Sequence, residues 1–365
     1  MERDSVYGER IIHTARPGDI AATALERGAT WLLGTAAVIT TLLAVAAAVT
    51  LGAHVQGLIV FAAWCASLGV AVRLVPQLWH QGAEFLVTER HVVWRRGRFR
   101  RSIDRSQISF ARIHWYPGKG GQGDLELVRD VPMGALRRKL AIVLRGVEHP
   151  DRLWELIRSG DPSHLDAEAP TRPVGARLPA GERVVWTEKP RSSWRDFVPE
   201  RRRDLAACLL GLTAAVAVAW VAPRAFSAAR GVLDAGVSPT SVGFMALAGS
   251  LGLTVALLFG TAAALVWSSI VAPGLRAGRT RYVITDQRVL IASWHDELLI
   301  DRARIVDVIA SARVDGQHDL FLVLDGPSSR GVAVSGAFED APAGELMPVL
   351  RGIVDVDDAR RLLGA

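Results

Sequence analysis

Cysteine is scarce: the 365-residue chain has only Cys65 and Cys208, both inside apolar runs. They cannot build a disulfide framework or a Cys/His zinc site, so the folded parts need not see an oxidising compartment. Catalytic signatures are missing too. No GxxxxGK[ST], G-x-S-x-G or H-E-x-x-H string occurs, which removes the usual phosphate-cradle, nucleophile-elbow and zinc-protease readings. Charge is absent over long distances. Between Arg27 and Arg73 there is no Asp, Glu, Lys or Arg. A bilayer core needs roughly 20 helical residues, so this stretch holds two spans, about Ala29 to Thr50 and Gly57 to Leu78. The amphipathic periodicity of a buried soluble hairpin is missing.

What is present agrees with that. Half the residues are hydrophobic, too many for a purely soluble protein of this length, and the net charge of +6 comes mainly from arginine. In a membrane protein such an excess is first a topology signal. Arg3, Arg10, Arg16 and Arg27 precede the first apolar core, which starts too late for a secretory signal peptide. A third span covers about Leu205 to Ala222 and a fourth about Val242 to Ala272. Arg27 and the Arg95–Arg101 cluster flank the first hairpin. Arg191, Arg195 and Arg201–Arg203 precede the second, and Arg276, Arg279 and Arg281 follow it. The connector of the first hairpin has no Lys or Arg, and that of the second, Pro223 to Ser241, has only Arg224 and Arg230. Both termini are therefore expected in the cytoplasm, with the chain multi-pass in the inner membrane. Trp31, Trp79, Trp220 and Trp267 fit interfacial anchors; Trp64, at mid-span, does not.

The chain also repeats itself. AEFLVTERHVVWRRGRFRRSIDR (Ala83 to Arg105) is echoed by TRYVITDQRVLIASWHDELLIDR (Thr280 to Arg302) at one constant offset. Upstream of each hairpin, GERIIHTARP (Gly8 to Pro17) is echoed by GERVVWTEKP (Gly181 to Pro190). Each half reads as a lead segment, a helical hairpin and a β-domain. The divisions are 1–28 lead segment, 29–79 hairpin, 80–160 β-domain, 161–180 Pro-rich linker, 181–204 second lead segment with an interfacial stretch, 205–275 second hairpin and 276–365 second β-domain. Strands alternate over Phe85–Thr88, His91–Arg96, Ile108–Trp115, Leu125–Val128 and Leu140–Leu144. A helix from Pro150 stops at Gly160, with Pro and acid early and Gly late. The second domain repeats this with strands to Leu324, another over Gly331–Val334, a closing helix over roughly Ala341 to Ile353 bent at Pro348, and a helical tail from Asp357 to Leu363.

Two apolar spans, a strand-turn-strand of the form V/I-T-D/E-x-x-V, then I-D-R and a β-region closed by one helix resemble the bacterial pleckstrin-homology (PH) domain membrane proteins. The resemblance covers nearly the whole chain, twice. It implies an α+β membrane protein: four transmembrane helices in two hairpins, each hairpin followed by a PH-like bent antiparallel sheet or partial barrel with a C-terminal helix. It implies no catalytic residue and no cofactor, with cell-envelope stress as the usual association.

Arg95, Arg96, Arg98, Arg100, Arg101 and Arg105 crowd one β-hairpin close to an inner membrane end. Guanidinium groups there hold anionic headgroups, each worth on the order of 1 kcal/mol near a charged leaflet. The second copy has Ala292, Ser293, His295, Glu297, Leu298 and Arg302 instead, so the fold does not require the charge. In the fourth span, Ala248, Gly252, Ala256, Gly260 and Ala264 recur every fourth residue and suit close helix packing. The repeated Asp104-Arg105 and Asp301-Arg302 read as strand ends closed by a turn or ion pair, and His295-Asp296-Glu297 as a solvated turn. Gly118 to Gly123 matches G-x-G-x-x-G but lies between two strands, so no helix start is available for a pyrophosphate. The nine histidines are scattered, and no metal site is expected.

The expected function is a non-enzymatic membrane binding or scaffold protein for anionic lipid, with a protein partner or homo-oligomer and no nucleic acid. The alternative is an accessory subunit of an export or resistance complex whose transport residues lie in another chain. Pumps need an ionisable residue at membrane depth, and the four spans are read as charge-free.

Overall fold

The computed structural model describes residues 5–6, 8–22, 24–51, 56–131, 138–162, 178, 181–190, 194–198, 202–238, 241–313, 316–325 and 346–364. It is an α+β protein of two compact units, each assembled from separate stretches of chain. Ala22–Trp79 and Pro199–Val271 form one; Met1–Ala21, His80–Val198 and Ala272–Ala365 form the other.

The first unit is helical, with helices numbered in chain order: α1 (Ala24–Leu51), α2 (Gln56–Gln81), α4 (Arg202–Asp234) and α5 (Val242–Val266). Four stretches are long and apolar enough to cross a membrane: Glu26–Val45, Gln56–Gln81, Leu205–Asp234 and Leu258–Ala277. Leu42, Val60, Val216 and Phe259 are exposed on them, the reverse of a water-soluble bundle. Hydroxyls of Thr35, Thr40, Thr41 and Ser67 donate to carbonyls four residues back, which satisfies them without solvent. Glycines lie at the contact within each helix pair, and of Gly69 and Gly211 only Gly211 is crowded. A Cβ on Gly69 would touch Leu33 at 3.5 Å, and one on Gly211 would stand 3.1 Å from Leu265 Cβ.

Three expectations for the spans need correction. Arg73 lies inside α2 and is exposed, so that span is not charge-free; two turns from the helix end, its long stem can carry the guanidinium toward the interface. The second connector is largely helical, because α4 continues through Pro223 to Asp234. The fourth helix is interrupted by a π-turn, Trp267–Val271, before α6 (Ala272–Ala277). Pro273 has no N–H to continue the ladder, and a wider turn absorbs the missing bond.

The second unit holds the strands. The first half supplies β1 (Ser5–Val6), β2 (Glu9–Ala15), β3 (Glu84–Thr88), β4 (His91–Arg96) and β5 (Phe99–Asp104) as one antiparallel sheet. Three further strands follow, β6 (Phe110–Trp115), β7 (Gln122–Val131) and β8 (Arg138–Glu148), then helix α3 (Pro150–Ser159). The second half repeats the order with β9 (Val184–Glu188), β10 (Thr280–Thr285), β11 (Arg288–Ser293) and β12 (Asp296–Asp301). It continues with β13 (Ile305–Ala312), β14 (His318–Leu324), β15 (Val349–Ile353) and α7 (Val356–Leu363). Each lead segment thus contributes a strand. β2 pairs with β3 and β9 with β10, so each helix pair is inserted between two paired strands, the second and third of the first half and the first and second of the second.

The halves are joined edge to edge. β12 pairs antiparallel with β6, Leu298 opposite Arg112 and Leu299 opposite Ala111, to give a seven-stranded sheet β8-β7-β6-β12-β11-β10-β9. Alternation along β12 sends Leu298 into the core of its own half and Leu299 into the core around Phe85, Leu125, Leu144 and Leu156 of the first half. Phe110 and Val128 reciprocate.

The end of the chain departs from expectation. Val349–Ile353 is a strand on β14, Leu350 opposite Leu320, and the closing helix is Val356–Leu363. Leu350 and Ile353 are buried, and Gly352 takes a φ of +66° that suits a strand irregularity better than a helix interior. Most of the expected linker, the Gly331–Val334 strand and residues 341–345 lie outside the described residues. Of the expected interfacial stretch, Trp194–Phe197 forms a 3-10 turn. Asp196 there pairs with Arg313 at 3.3 Å, and the Phe197 ring lies where Gly274 leaves no room for a Cβ.

Candidate functional site

The repeated short motifs turn out to be one structural device used twice. Glu9, on the strand that precedes the first helix pair, accepts from Thr88 Oγ1 at 2.6 Å and lies 2.8 Å from His91 Nδ1. Glu182 accepts from Thr285 Oγ1 at 2.6 Å and from Arg288. The glutamate of each Gly-Glu-Arg motif therefore binds the threonine and the basic residue of the following hairpin, across the inserted helices. The hydrogen bond from Thr88 leads in holding the Glu9 carboxyl below its ordinary range, with His91 adding to it.

Arg105 and Arg302 are the second shared device. Arg105 Nε donates to the Ile157 carbonyl at 2.7 Å, and its Nη1 to Glu89 and Thr88 carbonyls at 2.8 and 3.2 Å. Arg302 donates to the Leu362 and Thr285 carbonyls. Each arginine closes the C-terminus of its half's final helix, where carbonyls lack helical partners. That takes Arg105 out of the lipid-facing set.

The other five arginines share one hairpin but lie on both its faces, Arg95 and Arg100 on one, Arg96 and Arg101 with Phe99 on the other. Arg95 and Arg100 stand directly opposite each other, Trp94 opposite Arg101 and Arg96 opposite Phe99. Gly97 turns the chain at a φ of +55°. Arg95, Arg98, Arg100 and Arg101 are exposed, and Phe99 between them is 68% exposed. Arg95 also binds Glu84 at 2.6 Å. Arg96 Nε is 3.7 Å from where a Cβ on Gly82, just before β3, would stand. Like charges opposed across two strands repel, and an anionic neighbour or solvent relieves them.

The contrast with the second copy now has a cause. β5 is the last strand of its sheet among the described residues, whereas β12, its equivalent, is covered by β6. Glu297 and Leu298 replace Arg100 and Arg101 because that edge is an internal joint. Arginine on β5 also blunts an open edge, so the charge serves the fold's solubility as well as any ligand.

An ionic cluster locks the joint. Arg288, 3% exposed, reaches Glu182 through Nε at 2.8 Å and Nη2, and Glu155 of α3 through Nη1. Arg158 continues it to Glu155 at 3.2 Å and Asp301 at 3.5 Å. Arg112 crosses the same joint, donating to Glu126 at 2.8 Å and to the Leu346 carbonyl at 2.8 Å. Neither network is legible locally, since its members come from both halves.

Of His295–Glu297 only His295 lies in the turn; Asp296 and Glu297 open β12. Asp296 hydrogen-bonds His114 across the joint, and that bond, against burial, raises the imidazole above its ordinary value. A raised folded pKa means the stabilisation is complete below about pH 6.5 and fades as pH rises through the folded value. Thermal denaturation of wild type against His114→Asn should therefore show a gap that narrows from pH 6 upward by linkage; a gap that widens would refute the pairing.

Of the small-residue stripe, Gly252 and Gly260 have nothing among the described residues within 4 Å of an ideal Cβ, and Ala264 is exposed. Side chains of Ala248 and Ala256 lie outside the described residues. The α4 contact instead uses Ala262 and Leu265 against Gly211. The Gly118–Gly123 stretch joins β6 to β7, with Gly118 and Gly121 at positive φ, and a strand rather than a helix follows it; the Gly121 carbonyl accepts from His149 N at 2.6 Å. Among the described residues no group of three His, Cys, Asp or Glu could hold a metal. No protein-family model, curated protein or solved structure matches the chain.

Proposed function

We propose that the chain is a non-enzymatic scaffold of the inner membrane that holds two PH-like domains, fused edge to edge, against the cytoplasmic leaflet. Its first hairpin tip would rest on anionic headgroups. The carrying observation is the β4–β5 hairpin end, where five arginines are grouped with exposed Phe99. The strand order, five then three then a helix in the first half and four then three then a helix in the second, supports the PH-like reading. Charge near an anionic leaflet contributes about 1 kcal/mol per arginine, so the covalent helices supply residence and the tip supplies selection. Among the described residues nothing meets a Cβ at Gly252 or Gly260, in keeping with a helix of a protein partner or homo-oligomer packing there.

Hydrogen exchange of the full chain in lipid nanodiscs tests the headgroup contact. Amides of 96–101 should exchange more slowly with phosphatidylglycerol than with phosphatidylcholine alone, and raised salt should remove the difference. Equal exchange in both lipids, or an unchanged difference in an Arg98→Gln/Arg100→Gln/Arg101→Gln variant, would end the proposal.

A further inference from the structure

The turn of the second hairpin holds a residue that the turn does not need. Trp294 occupies the place of Gly97 in the repeat, and the two share a left-handed backbone, φ +58° and +55°. Glycine adopts that conformation freely, whereas a bulky L-residue is strained there. Strain of this kind persists where a side chain is wanted for something other than the fold.

The core does not want it either. Trp294 is 51% exposed. The Arg279 guanidinium lies over its ring at 4.4 Å from the centroid, and the His295 ring stacks beside it at 6.3 Å. The turn is held where the chain arrives from the fourth apolar helix. Thr280 pairs with Ser293, and the hydroxyls of both donate to the Arg276 carbonyl in α6, at 2.8 and 3.4 Å. Arg279 and Arg281 flank the same point. An indole with one polar N–H, beside arginines that can extend toward phosphates, is the composition favoured at a bilayer interface.

We propose that Trp294 is a second membrane contact: its indole seats among the lipid headgroups beside the end of the fourth helix, with Arg279 on its face. Phe99 at the first tip and Trp294 at the second would then hold the joined unit at two points. This contact rests on the β-unit lying at the membrane, as proposed above, but not on the lipid being anionic.

The test uses the full chain in nanodiscs of zwitterionic phosphatidylcholine, with and without bromine near the headgroup end of the acyl chains. The emission of wild type minus Trp294→Gly isolates this indole; Trp294→Asn, which also tolerates the left-handed region, serves as the second variant. The difference emission should be strongly quenched by brominated lipid and protected from aqueous iodide. In detergent both variants should melt no lower than wild type, because relief of strain offsets the lost ring contacts. Difference emission untouched by bromine would overturn the proposal. If it were then also protected from iodide, a protein or a second copy would be covering the ring. Since no anionic lipid is present, failure here is separate from failure of the arginine contact.

Discussion

Arg288→Ala should destabilise the β-unit by roughly 3–5 kcal/mol, the usual consequence of removing one partner from a buried ionic cluster. The loss is not that of a surface ion pair. Glu182 has a fully buried side chain and Glu155 one that is 7% exposed, and both carboxylates face Arg288. Without the guanidinium, two negative charges remain in a low-dielectric site beside each other and beside Asp301. Arg288→Lys should not rescue it, since a single ammonium cannot span two carboxylates as the planar fork does. Removing the carboxylates as well, in Arg288→Met/Glu182→Gln/Glu155→Gln, should recover much of the stability. Denaturation followed by hydrogen exchange at β11 and α3 would measure this. A single variant as stable as wild type would mean the cluster does not hold the joint. The first half shows why the effect is specific. Its counterpart pair, Glu9 and His91, is 16% and 29% exposed and lies away from the joint, so His91→Ala should cost far less.

The second large effect is a swap between the copies. Leu298→Arg writes the first half's Arg101 into the second half, at a side chain with no exposure and with Arg112 opposite. An unpaired charge there should cost several kcal/mol, on the order of 3–5, and should open the joint. The reverse swap, Arg101→Leu, falls on an exposed edge and should change stability by less than about 0.5 kcal/mol. Its consequence should instead be association, since an apolar open edge invites strand pairing. Melting curves with size-exclusion profiles would read both. Equal effects of the two swaps would mean that β5 and β12 stand in the same environment, against the topology described above.

Both effects turn on residues that look alike in the repeat and differ in surroundings. Ile103 and Ile300, Thr88 and Thr285, and Arg105 and Arg302 keep the same roles in both halves, so the sequence repeats there. Arg100 and Glu297, or Gly97 and Trp294, occupy equivalent backbone positions and do different things. The arginine tip was legible because five like charges within seven residues need no partner to be noticed. The Arg288 cluster was not, since Glu155, Glu182 and Arg288 are far apart in the chain and each reads as an ordinary charged residue. Trp294 left a signal, an aromatic opposite a turn glycine, but only the backbone angle gives that signal its meaning.

The order of residues alone determined the apolar helices, the strand alternation and the duplication, because each depends on near neighbours: apolar runs long enough for a bilayer, period-two burial, and copied motifs. Local pattern misread Val349–Ile353, where an apolar run suits helix and strand alike until β14 supplies a ladder. Which edge is open and which is joined was decided only by the tertiary structure. The exchange of Arg100 and Arg101 for Glu297 and Leu298 marks a difference between the edges, but only the pairing with β6 says what that difference means. Glu9 and Glu182 found their threonines, and the closing helices their arginines, only when the folded chain brought buried donors and acceptors within reach of each other.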